Sequence, residues 1–76
     1  MRESVTKLIE EVNNANGPVF ATILGVNYMI EHAMMFDEQN GVVELLINPT
    51  KYIPKCSMLL SQEDFLTLVH VDPTIW

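Results

Sequence analysis

The spacing of apolar residues changes along this chain, and each change marks an element. In residues 4–14, Val5, Leu8, Ile9 and Val12 recur at i, i+3, i+4 and i+7, the single apolar stripe of an amphipathic helix. Ser4 is the expected N-cap, and Glu3 and Lys7 stand in the favourable i, i+4 order. The run Asn13-Asn14-Ala15-Asn16-Gly17-Pro18 stops the helix, because Pro18 cannot continue it. Residues 19–24 are β-branched and aromatic and too few for a typical helix, which predicts a strand. Gly25-Val26-Asn27 then forms either a turn or a bulge. Residues 28–36 alternate. Tyr28, Ile30, His32, Met34 and Phe36 fall on one face, and Met29, Glu31, Ala33, Met35 and Asp37 on the other.

Asp37-Glu38-Gln39-Asn40-Gly41 is a polar turn ending in Asn-Gly between apolar runs, the strongest short-range hairpin signal. The return strand, residues 42–47, places Val43, Leu45 and Ile47 on one face and Val42, Glu44 and Leu46 on the other. A loop carries Pro49 and Pro54, and residues 56–60 form a short fourth strand. Ser61 opens a second helix, with Asp64 completing a capping box and Phe65, Leu66, Leu68 and Val69 forming its stripe. Asp72-Pro73 ends that helix and leaves a tail with Ile75 and Trp76. The order α-β-β-β-(β)-α predicts one domain over residues 1–76. Its expected class is α+β: a small two-layer sandwich of an antiparallel sheet, three to four strands, with an N-terminal and a C-terminal helix.

Composition narrows the function. Apolar residues make up 49% of 76 residues, which excludes intrinsic disorder. Ten acidic residues against four basic ones give a formal charge of −6, and four cations cannot build the basic face that phosphate binding needs. Direct nucleic-acid binding is therefore not expected. The double-stranded-RNA-binding domain shares the order α-β-β-β-α, but its second helix opens with lysines, whereas this one opens Ser61-Gln62-Glu63-Asp64. The longest apolar stretch, residues 19–36, is interrupted by Thr22, Gly25, Asn27, Glu31 and His32, so no membrane span is expected. With no apolar leader and one unpaired cysteine, the expected location is cytoplasmic.

Little in the chain points to catalysis. Cys56, His32 and His70 have no spacing that brings a thiol to an imidazole or builds a metal site, so Cys56 reads as a small buried hydrophobe. Asp37, Glu38 and Glu44 surround the hairpin, but Leu46 stands where a metal nuclease would carry its lysine. Gly17, Gly25 and Gly41 form no phosphate-cradling loop. No cofactor, metal or catalytic residue is expected.

Two surfaces remain. Carboxylates cluster at Glu10 and Glu11, at Asp37 and Glu38, and at Glu63 and Asp64. The first two clusters are candidates for docking a basic site on a protein partner. Met29, Ala33 and Met35 lie beside Val42 and Leu46 on a sheet face that should be polar if it met only water. A homo-oligomer interface is expected there. The expected function is that of a non-enzymatic, acidic interaction protein, in its most concrete form an inhibitor or modulator of a nucleic-acid-handling enzyme, by analogy with small acidic phage and mobile-element proteins. The alternative is an accessory subunit of a larger assembly that docks through the apolar sheet face, and the third reading is a small enzyme.

Overall fold

In a computed structural model that describes residues 2–71, the chain forms two helices and one five-stranded antiparallel sheet. In chain order the elements are α1 (Glu3–Asn13), β1 (Val19–Ile23), β2 (Val26–Asp37), β3 (Val42–Ile47), β4 (Cys56–Ser61), α2 (Gln62–Leu68) and β5 (Val69–Val71). The strands lie in the order β4-β3-β2-β1-β5. The molecule measures 35 × 31 × 19 Å, and its short dimension is that of one sheet and one helical layer. The α+β class and both helices agree with the sequence reading. The expected tail with Ile75 and Trp76 lies outside the described residues.

The core lies between the helices and one face of the sheet. Val5 and Val12 from α1 and Phe65 from α2 meet Val19, Ala21, Ile30, Ala33, Val43, Leu45, Ile47 and Leu60 from the strands. Phe65, Leu45, Ile47, Val5 and Val43 are the largest side chains with no contact with water. Burial of such side chains stabilises the fold by about 1.5–3 kcal/mol each.

The helix ends differ in how they are satisfied. The N-cap of α1 is Arg2, which makes no side-chain capping bond, so Ser4 sits inside the first turn rather than before it. At α2 the Ser61 hydroxyl accepts the backbone N–H of Asp64 at 3.1 Å, as its sequence signature predicts. The helix then stops one turn early. Val69, His70 and Val71 leave it as β5 and pair antiparallel with Val19–Ala21, so Val69 serves a strand rather than the helical stripe.

The turns carry the strain. Leu24 and Gly25 have φ of 51° and 80° and join β1 to β2 as a two-residue turn between Ile23 and Val26. Positive φ at both central positions matches the right-handed twist of the strands, but it is costly for a leucine. In the β2–β3 turn the Asp37 carboxylate accepts from the backbone N–H and the side-chain amide of Asn40, at 3.3 and 2.8 Å. Gly41 follows at φ 66°, in the left-handed region that favours glycine, with the Gln62 side chain lying over it, so a larger residue would be strained and would have to displace Gln62.

Strand β2 divides its length between two partners. Its first four residues, Val26–Met29, pair with β1, and Ile30 onward pairs with β3. The β3 ladder shifts register between Ile30 and His32, where two residues of β2 oppose Leu46 alone. This β-bulge reverses the inward–outward alternation from Ala33 to Phe36, and a second register shift between Met35 and Asp37 ends the reversal. Past Met29, β1 no longer covers the edge of β2. There the side chain of Asn13 acts as a substitute strand: its amide donates to the Ala33 carbonyl and its oxygen accepts the Ala33 N–H, both at 2.9 Å.

Candidate interaction surface

The helices cover one face of the sheet and leave the other open. Pairing across the strands identifies the open face: Phe20 opposes both Met29 and His70, Met34 opposes Glu44, Glu44 opposes Leu59, and His32 opposes Leu46. Opposed residues in an antiparallel ladder share a face. Phe36, Leu59, Met34 and Met29 are 58, 51, 47 and 40% exposed. They form a patch of long, polarisable side chains, with Phe20, Val42 and Leu46 half-buried among them. Glu44, His32 and His70 supply its polar groups.

The bulge corrects the sequence reading of this face. Met29, Val42 and Leu46 lie on the open face. Ala33 is 0% exposed, and Met35 is half-buried against the core. Both were expected on the open face, but the extra residue at Glu31–His32 turns them toward the helices. The same shift brings out His32, Met34 and Phe36, which simple alternation placed with Ile30. His32 is therefore an exposed residue, not one of the core, and Met34 and Phe36 are the surface residues that a strict period of two misses.

The acidic candidates do not gather on this patch. Glu10 and Glu11 are exposed on α1, in the layer that covers the opposite face. Glu38 is exposed in the β2–β3 turn. Asp37 beside it is committed to the turn, and the two bonds from Asn40 hold its carboxyl below the usual carboxylate range. Glu63 meets Arg2 at 2.8 Å in an ion pair exposed on both sides, a contact worth about 0–1 kcal/mol.

Groups with reactive potential are dispersed. Cys56 is a free, exposed thiol at the start of β4, not the buried hydrophobe expected. His70 is exposed in β5. Among the described residues no three of His, Cys, Asp and Glu gather closely enough to hold a metal ion. Every buried side-chain nitrogen and oxygen among the described residues has a hydrogen-bond partner. No helix among them is long and apolar enough to cross a membrane.

Comparison of the chain with protein-family models, with curated proteins and with solved structures finds no match.

Proposed function

We propose that this protein acts by binding a macromolecular partner on the open face of its sheet, without catalysing a reaction itself. The observation that carries this reading is the exposure of Met29, Met34, Phe36 and Leu59 together on one face. An antiparallel sheet with one solvated face normally alternates apolar inward and polar outward. Adjacent long apolar side chains on the outward side favour a covered state, and methionines adapt to the shape of what covers them. The net charge of −6, with Glu44 in the patch and Glu38 in the adjoining turn, favours a partner whose contact surface is basic at its rim. A basic site on a nucleic-acid-handling enzyme is the most concrete instance, and the protein would then act as its modulator or inhibitor. Docking into a larger assembly uses the same face and differs in salt dependence.

The test is quantitative capture from lysate of the source cells with the parent protein and a Met34→Thr/Phe36→Thr variant, across a salt series. A partner retained by the parent and lost by the folded variant is expected. A steep loss with salt marks rim electrostatics, and persistence marks apolar docking. Equal capture by parent and variant would overturn the reading.

A further inference from the structure

The sheet ends in two edges that are protected very differently. β5 is three residues long and is followed in the sequence by Asp72-Pro73. β4 is six residues long, Cys-Ser-Met-Leu-Leu-Ser, with no charge and no proline, and among the described residues β3 is its only strand partner. Proteins usually blunt a free edge with charge, proline or brevity, and β4 has none of these.

The Asn13 amide fixes which backbone groups point out of that edge. Because Ala33 gives both its N–H and its carbonyl to Asn13, it faces Leu45 as a pair without mutual hydrogen bonds. Pairs in an antiparallel ladder alternate, so Met34 and Glu44 exchange bonds, and Glu44 then faces Leu59 without them. By the same alternation Met58 and Leu60 turn their N–H and carbonyl groups toward β3. Ser57 and Leu59 turn theirs toward solvent, and Ser61 turns out its N–H alone, because its carbonyl, at the N-cap of α2, accepts the first bond of the helix.

We propose that a second copy of this chain adds to β4 edge to edge, antiparallel, about a two-fold axis normal to the sheet and passing at Leu59. That axis pairs Leu59 with Leu59 of the second copy and Ser57 with Ser61 of the second copy. Leu59 and Ser57 offer both backbone groups and Ser61 its N–H, so the edges exchange roughly four N–H···O bonds. The rotation keeps both helical layers on the same side. The two open faces become one apolar platform with the Leu59 side chains adjacent at its centre.

Charge selects this partner. Of the four basic residues, Lys55 immediately precedes β4, and Lys51 lies in the loop before it. Glu63 and Asp64 immediately follow β4. An antiparallel two-fold at Leu59 brings the end of each strand that follows Lys55 to the end of the other where α2 opens with Glu63 and Asp64. The complementarity is of the strand with itself, as an isologous contact requires.

Sedimentation velocity of the full chain from about 1 to about 500 μM, the range of a small, transient interface, reads the association. A concentration-dependent dimer is expected. Leu59→Pro and Ser57→Pro each remove an outward N–H that β3 does not use, a position where an edge strand tolerates proline. Each variant should keep the parent circular dichroism and raise the dimer dissociation constant at least about tenfold. Lys55→Glu should weaken the dimer, because it sets a carboxylate near the acidic first turn of the second copy's α2. A monomer at all concentrations would overturn the proposal, as would a dimer unmoved by both proline variants. Unfolding of both would overturn it too, since those N–H groups would then be serving β3. The open-face reading is tested separately, by capture with Met34→Thr/Phe36→Thr, so either can fail alone.

Discussion

The two faces of the β2–β3 hairpin are built from similar residues and do different work. On the covered side, Ile30, Ala33, Val43, Leu45 and Ile47 are sealed beneath α1 and α2. On the open side, Met29, Met34, Phe36 and Leu46 are comparably apolar but meet solvent to varying degrees. Hydrophobicity alone does not distinguish them; the helices do. The covered side is branched and compact, suited to fixed packing. The open side is rich in methionine and phenylalanine, suited to a surface that must adapt. Stability should therefore depend on one face and binding on the other, although the two are a single strand-thickness apart.

That division is broken most severely from the covered side. Phe65→Ala should cost about 3–5 kcal/mol, because it empties the centre of the interface between helix and sheet. A domain this small has about that much stability in total, so the variant should be largely unfolded by far-ultraviolet circular dichroism at 25 °C.

Asn13→Ala should come next. It leaves the N–H and carbonyl of Ala33 without partners at the uncovered edge of β2, at a cost of about 1–3 kcal/mol in urea unfolding. Asn13→Asp keeps the acceptor but sets a carboxylate oxygen against the Ala33 carbonyl oxygen, so it should not restore the parent stability.

Leu24→Asn should act in the opposite direction. Leu24 is 98% exposed and has φ of 51°, so it contributes no packing to the fold and bears the steric cost of the left-handed region. Asparagine relieves that cost, and a gain of up to about 1 kcal/mol is expected in the same assay. No gain would indicate that the turn is held by something other than its local backbone preference.

The smallest effect is one of pH. The Asp37 carboxyl is held below its ordinary range by the bonds from Asn40. A depressed folded-state value means that its contribution is fully present above the unfolded pKa of about 4 and is lost as pH falls through the lower folded value. Asp37→Asn should remove that part of the acid sensitivity, measured as unfolding midpoint against pH from about 5 down to about 2.

Most of the architecture could be read from local signals. The stripe Val5-Leu8-Ile9-Val12, the Asn40-Gly41 hairpin and the Ser61–Asp64 cap each encode their element within a few residues. The parts that escaped depend on partners far along the chain. The bulge at Glu31–His32 is defined only by its register against Leu46, so a strict alternation inverted the faces of Ala33 through Phe36. β5 is three residues of β-branched and polar alternation whose strand character comes from pairing with Val19–Ala21, and the preceding helical stripe absorbed it. The role of Asn13 in bridging to Ala33 across twenty residues was invisible beside its more obvious role in stopping α1. For the interaction surface, Met29, Val42 and Leu46 were legible because they lie before the bulge or on the strand opposite it, while Met34 and Phe36 were not.

Urea unfolding of Met34→Thr/Phe36→Thr beside Leu45→Ala, at one protein concentration, puts the division between the faces to its most direct test. The open-face double variant should stay within about 1 kcal/mol of the parent, because its side chains are about half in water and threonine suits a strand. Leu45→Ala, on the covered side, should lose about 2–5 kcal/mol. Comparable losses from the two would mean that the open face is part of what holds the fold together, and would contradict the account.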